Sequence, residues 1–378
     1  LQIVFCITLM AVVGVSSIVP AFPRIVEELH ISKTDIGMLI TAFALPSAIL
    51  APFIGVLGDK FGRKRILVPS LFLFGLAGGS CALSKDFNVL ITLRMIQGVG
   101  ASALGALSLT VLGDLFSGRQ RAEAMGLNAG VLSIGIASYP LIGGALATFS
   151  WNIPFLLPLA AIPVGVIVLR WLNSPEPRSS QGLGEYLGSV WKYLRNLRIA
   201  SAFAAGIIVF IILFGPYLTY LALFLGTTFD ASPFIIGCIY SCMPIVTAMV
   251  SPQLGRLVRF VSLSNLVKIG FVIFALSLAL LPFTPKLWFV LIPVSIFGVA
   301  HGIGPPGLQT YVAGLAPDEY RAAFMALTTT MFRLGQTLGP LICGIVYAYA
   351  GFDGVFFFGA GLSLIAAIVG FAGRKLIH

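Results

Sequence analysis

Charge is scarce in this sequence. Lys, Arg, Asp and Glu make up 10% of its 378 residues, and hydrophobic residues 58%. A soluble domain carries about 25% charged residues, which argues against a water-soluble enzyme and for a chain that crosses a membrane repeatedly. Acids are scarcer than bases, 13 against 23. No cluster of His, Cys and carboxylates has metal-ligand spacing, and no nucleophile–base pair or phosphate-binding loop stands out. No metal, cofactor or enzymatic activity is therefore expected. The five cysteines, Cys6, Cys81, Cys238, Cys242 and Cys343, all sit in apolar runs and read as small buried hydrophobes. The chain opens at Leu1 inside an apolar run over 1–22. That run exceeds the about 7–15 residues of a signal-peptide core, so it reads as a span in a chain trimmed before Leu1.

What is present is a repeat at a constant offset of 200 residues. Thr110, Leu115, Arg121, Ala122, Met125, Leu127, Gly135, Pro140, Leu141, Ile142 and Gly144 recur as Thr310, Leu315, Arg321, Ala322, Met325, Leu327, Gly335, Pro340, Leu341, Ile342 and Gly344. Ile36-Gly37 likewise recurs as Ile236-Gly237, and Pro52-x-x-Gly55 as Pro252-x-x-Gly255. A unit this long is a duplicated half-protein and not a solenoid repeat. In an apolar chain, two similar halves predict a transporter with a pseudo-two-fold axis.

A helical span needs about 20 apolar residues. Twelve are predicted, at 1–22, 35–56, 66–84, 88–112, 123–148, 152–172, 200–225, 233–254, 263–282, 287–313, 322–349 and 354–373. The expected organisation is an N-terminal six-helix bundle over 1–172, a cytoplasmic linker over 173–199 and a C-terminal six-helix bundle over 200–378. In the linker, Leu187, Val190, Trp191, Leu194 and Leu197 have helical spacing opposite Lys192, Arg195 and Arg198, which suits a short helix on the membrane surface. With the N-terminus inside, sixteen Lys and Arg face the cytoplasm and only Arg24, Lys33, Lys85 and Lys286 face outward. The positive-inside rule then puts both termini in the cytoplasm. Topology thus accounts for the formal charge of +10, and nucleic acid is not an expected partner.

The loop after the second span reads Gly55-Val56-Leu57-Gly58-Asp59-Lys60-Phe61-Gly62-Arg63-Lys64-Arg65. It resembles the signature cytoplasmic loop of the major facilitator superfamily. Gly62 permits a sharp turn. Asp59 is placed to pair with Arg63 and cap the third span, and Asp114, ending the fourth span, is placed to accept Arg63 too. The resemblance implies that these contacts latch a cytoplasmic gate. The fourth span carries Leu90-x-x-x-Arg94-x-x-Gln97-Gly98-x-Gly100, which resembles the second motif of the superfamily. The fifth reads Gly126-x8-Gly135-x3-Tyr139-Pro140-x2-Gly143-Gly144 and resembles the third motif, which marks antiporters. Gly335-x3-Gly339-Pro340-x2-Cys343-Gly344 is a partial second copy. Gly135, Pro140, Gly144, Gly335 and Pro340 are expected to set close packing and helix bends. The chain is thus similar to the twelve-span drug–proton antiporters, and the expected fold is an all-α membrane protein of two six-helix bundles (the major facilitator fold).

The thirteen carboxylates all fall near predicted span ends or in loops. Many antiporters of this branch use a buried acid, and this sequence departs from them there. Its deep charges are basic: Arg94, His301 and Arg333. His301 is the deep group that titrates near neutrality, so it is the proton-coupling candidate; a packed, satisfied His is the alternative. Arg94 with Gln97, and Arg333 with Gln336, share helix faces and are candidates for substrate contact, or for structural bonds to helix carbonyls. Arg333 has no counterpart in the first half, where Ser133 stands. Asn128, Tyr217 and Gln309, with Tyr220, Tyr240 and Tyr311, are further candidates for lining a cavity.

The expected function is export of a small amphipathic or anionic organic compound in exchange for protons, by alternating access across a plasma membrane of bacterial or archaeal type. Expected partners are that substrate, protons and membrane lipid, with the chain a monomer. Two alternatives stand beside it: a proton-independent organic-anion carrier, and a lipid flippase or non-transporting receptor.

Overall fold

The computed structural model of the chain describes residues 1–172, 197–315 and 321–369. Every regular element among them is helical. That follows from the composition, because an α-helix pairs all its backbone polar groups within one segment and so survives in hydrocarbon. The helices are α1 (Gln2–Ser16), α2 (Phe22–Glu28), α3 (Met38–Phe61), α4 (Arg63–Cys81), α5 (Phe87–Leu115), α6 (Gly118–Phe149) and α7 (Ala161–Trp171). After residue 196 come α8 (Leu197–Ile212), α9 (Leu221–Phe229), α10 (Pro233–Val250), α11 (Leu263–Leu280), α12 (Leu291–Leu315) and α13 (Arg321–Val369).

Among the described residues, nine stretches are long and apolar enough to cross a membrane. One of them, Leu327–Ile368, is 42 residues long and passes Gly351, whose φ of 62° and ψ of −158° are not helical. It therefore covers two of the predicted spans. Helices α3 and α4, of 24 and 19 residues, occupy the second and third. The arrangement is consistent with twelve spans. The expected surface helix over 187–198 lies, but for its last residues, outside the described part of the chain.

Several spans depart from the single helices expected. The first is α1 followed by a 3₁₀ turn at Val19–Ala21 and then α2, with Pro20 and Pro23 at the two restarts. The sixth opens as a 3₁₀ segment, Ile153–Ala160, with prolines at 154 and 158. In the seventh, a π-helical stretch, Leu213–Tyr220, joins α8 to α9. Pro216 sits inside it and has no N–H to give the preceding turn. Side chains take up the slack: Thr219 Oγ1 donates to Phe214 O at 2.6 Å, and Tyr240 Oη donates to Tyr217 O at 2.6 Å and Leu218 O at 3.1 Å.

The chain divides into two units, Leu1–Ser180 with Ser232–Cys238, and Gln181–Ala231 with Ile239–His378. In the first, Leu67, Leu71, Phe74, Leu104, Leu107 and Val111 build the core of α4 and α5 against α1 and α7. In the second, Tyr217, Phe271, Phe274, Phe297 and Phe356 are the large buried side chains.

The sequence repeat reappears as repeated geometry inside each unit. Left-handed non-glycine residues occur at His30 (φ 50°) and Asp230 (φ 48°), 200 positions apart. Ser47 Oγ donates to Gly98 O at 2.8 Å, and Thr247 Oγ1 donates to Gly298 O at 3.0 Å. A Cβ on Gly98 would press into Phe43 O, and one on Gly298 would stand 2.8 Å from Met243 O. Positions 43, 47 and 98 thus form one joint, and 243, 247 and 298 its copy.

Candidate functional site

At the motif loop after the second span, α3 stops at Phe61 and α4 starts at Arg63, with Gly62 between them at φ 93° and ψ 134°. Left-handed φ values are costly for a residue with a Cβ, and that is why a glycine stands there. The Arg63 guanidinium pairs with the Asp114 carboxylate, and its Nη1 donates to Thr110 O at 3.1 Å. The two side chains are only 12% and 28% exposed. This clasp ties the α3–α4 turn to the last two turns of α5. The Asp59 side chain, expected to share Arg63, lies outside the described part of the structure.

Arg94 is fully buried on α5. Its Nε donates to Leu39 O at 3.2 Å, and its Nη1 donates to Gly14 O at 2.8 Å and Gln97 Oε1 at 2.7 Å. The guanidinium also lies over the Phe43 ring, 4.5 Å from its centroid. Carbonyl dipoles and an aromatic face therefore balance the charge. Arg94 and Gln97 join α1, the start of α3 and α5, which is the carbonyl-bonded alternative weighed from the sequence. Two donors in this knot, Arg94 Nη2 and Gln97 Nε2, lack a partner among the described residues. Asn128, also buried, accepts from Thr8 Oγ1 at 2.8 Å, so it links α6 to α1.

The small residues of α6 do allow close approach. Gly135 meets Leu9, and Gly143 meets Ser17 O. Gly144 faces Pro233 O, and Gly237 faces Pro140 O, so the first turns of α10 belong with α6. In the second unit, Gly335 meets Ile207 O and Phe210, and Gly339, just before Pro340, meets Ile211 O.

The remaining candidates lie in the second unit. Arg333 Nη1 donates to Gln336 Oε1 at 3.0 Å, the pairing their spacing predicted. Both side chains are partly exposed, and no carboxylate pairs with Arg333 among the described residues. Tyr217 is 1% exposed and stacks on Phe297 at 4.3 Å, with its hydroxyl buried and without a hydrogen-bond partner among the described residues. Gln309 is exposed. His301 Nδ1 is buried and has no partner among the described residues. His301 lies one turn past Phe297 and two turns before Leu308 on α12, so the three share a face. Phe297 stacks on Tyr217, and Leu308 and Phe332 meet at Gly206. That face is therefore turned to α8 and its π-helical continuation.

The structure thus brings together Arg63 with Asp114, Arg94 with Gln97, and Arg333 with Gln336. It adds a feature that sequence reasoning missed. Phe332, Phe210 and Phe214 form a column of near-parallel rings, with centroids 4.4 and 6.0 Å apart. The i, i+4 spacing of Phe210 and Phe214 and the glycine at 335 were the available signals. Among the described residues no group of three or more His, Cys, Asp or Glu is placed to hold a metal ion. The described carboxylates lie at helix ends, in the first turns of helices, in the α2–α3 connection (Asp35) or beside the Gly351 break.

A family model described as Major Facilitator Superfamily matches residues 4–262 and 207–376. Multidrug resistance protein 2 of Bacillus subtilis (strain 168) is 26% identical over 372 residues, covering 94% of this chain and 92% of that protein. The bacillibactin exporter of the same organism is 23% identical over 373 residues, covering 95% and 92%. Among solved structures, the nucleoside transporter NupG (D323A mutant) superposes with a TM-score of 0.84 at 15% identity, covering 99% of each chain. With the motif residues, the helical fold and a family match across nearly all of its length, this chain belongs to the Major Facilitator Superfamily and is a multi-pass membrane transporter, not an enzyme.

Proposed function

We propose that this transporter exports a small amphipathic organic compound from a bacterial-type cell in exchange for protons, by alternating access, with both termini in the cytoplasm. The observation that carries the direction of transport is similarity over more than nine-tenths of the chain to proteins named for drug resistance and export. Geometry supports the division of labour. Arg63 and Asp114 act as the cytoplasmic latch, since their contact ties the α3–α4 turn to the end of α5. Arg94, Gln97 and Asn128 position helices and do not touch substrate, because all three are buried and Arg94 and Asn128 bond to groups on neighbouring helices. Arg333 and Gln336 contact substrate. His301 carries the proton, being a deep titratable group that no described residue holds in one protonation state through an Nδ1 bond.

The test is efflux from proteoliposomes of a panel of amphipathic aromatic dyes of both charge signs, with an imposed pH gradient. The wild-type carrier accumulates at least one dye against its gradient. His301→Gln retains downhill exchange and loses the response to pH. If pH-driven accumulation persists in His301→Gln, the proton role assigned to His301 is wrong. A second reading, an organic-anion carrier that ignores protons, is favoured by the absence of a mid-helix carboxylate among the described residues; flux indifferent to the pH gradient supports it.

A further inference from the structure

We infer that Arg333 and Gln336, beside the Phe332–Phe210–Phe214 ring column, form a subsite for the carboxylate of a flat aromatic monoanion. The inference deepens the transport proposal and rests on it for the role of the bound molecule.

Four observations carry it. First, Arg333 spends one N–H on Gln336 Oε1, and its other donors are neither bonded within the described residues nor sealed from the surface. A guanidinium stays charged, and its fork matches the two oxygens of a carboxylate. Second, Gln336 uses its carbonyl oxygen to hold Arg333, which leaves its amide N–H₂ beside the guanidinium as another donor. The pair therefore presents donors only. Third, Phe332 is buried while Phe210 and Phe214 are partly exposed. The column thus has a packed end and a partly exposed end, and a flat aromatic ring is the shape that would extend such a stack. Phe332 and Arg333 are consecutive on α13, so the packed end of the column and the donor pair start from the same turn of that helix, on faces about 100° apart. Fourth, the described helices of this unit hold no carboxylate away from their ends and breaks. A cationic substrate finds no counter-charge there, whereas an anion does.

The contrast with Arg94 sharpens the point. Both arginines sit three residues before a glutamine and bond to it, at 2.7 and 3.0 Å. Arg94 adds two backbone carbonyls and a ring face; Arg333 adds neither among the described residues. The same local motif is buried against carbonyls and a ring in one unit and partly exposed in the other.

The experiment uses the full chain in lipid nanodiscs and three probes of one shape: 1-naphthoate, 1-naphthalenemethanol and 1-naphthylmethylammonium. Binding is measured by calorimetry at fixed salt. Naphthoate is expected to bind at least about tenfold more tightly than the other two, since hydrogen bonds to charged groups are worth that much or more. Arg333→Gln abolishes that preference and leaves the neutral probe within about twofold. Arg333→Lys restores part of it, because charge returns without the fork. Phe210→Ala weakens all three probes alike. A carrier that binds the ammonium as well as the carboxylate, or binds none of the three, overturns the inference, as does an unchanged naphthoate affinity in Arg333→Gln. Retained binding of the neutral probe shows that the variant is folded. Flux of the same probes in proteoliposomes separates the two proposals. Naphthoate bound through Arg333 but never moved counts against transport of this class alone; dyes moved without charge preference count against the subsite alone.

Discussion

Arg94→Lys separates a structural arginine from a substrate-binding one. The native guanidinium makes three hydrogen bonds, to Leu39 O, Gly14 O and Gln97 Oε1, and covers the Phe43 ring. An ammonium has one nitrogen; placed where Nη1 stands it keeps at most Gly14 O and Gln97 Oε1 and cannot also reach Leu39 O, so at least one bond and the planar cover on Phe43 are lost. In water such charge-assisted bonds are worth about 1.5–3 kcal/mol each. Within a bilayer the unfolded chain finds other partners, and interhelical polar bonds average about 0.6 and reach about 1.7 kcal/mol. The membrane values govern here, which gives a loss of about 1–2 kcal/mol for the bond and the ring contact together. The assay is reversible unfolding of the purified carrier in mixed micelles, read alongside substrate affinity of the folded fraction. The expected outcome is a stability loss of that size with affinity changed by less than about twofold. Unchanged stability with affinity reduced tenfold would refute the structural role and return Arg94 to the substrate site.

Other expectations follow from the same geometry. Gly98→Ala and Gly298→Ala each force apart a helix pair that touches at backbone, α5 from α3 and α12 from α10, and each is expected to cost about 1–3 kcal/mol by overpacking. Melting curves check this, and Gly55→Ala, inside α3 where a Cβ meets nothing, serves as the clash-free control, expected to melt no lower than the wild type. A double-mutant cycle of Arg63→Gln and Asp114→Asn is expected to show coupling of about 1–3 kcal/mol for this partly buried pair; coupling near zero would remove the latch.

Much of the site was legible because the signals are local. The need for a turn between two charged-ended spans gives glycine at position 62, and its φ of 93° bears that out. A spacing of three places Gln97 against Arg94 and Gln336 against Arg333, and both bonds form. The repeat at offset 200 is legible twice, in residue identities and in the paired joints at Gly98 and Gly298. What was not legible depends on partners distant in sequence. Pro216 announces a disturbed helix, but nothing near it says that Tyr240 will bond the carbonyls of Tyr217 and Leu218. Phe210 and Phe332 stack across 122 positions, and in a chain with thirty phenylalanines no single pair stands out. The first span, expected at 1–22, runs on through a 3₁₀ turn to Glu28, and the sixth keeps its expected bounds but opens as 3₁₀, because hydropathy does not distinguish a 3₁₀ turn from an α-helical one.

The most direct test of proton-coupled export is the proton movement itself. Proteoliposomes that hold the carrier and trapped pyranine receive a transported substrate on one side, with no pH gradient imposed. The account predicts a substrate-dependent pH change inside the vesicles, present in the wild type and absent in His301→Gln, while substrate exchange continues in both. Substrate flux with no pyranine signal in the wild type would contradict it.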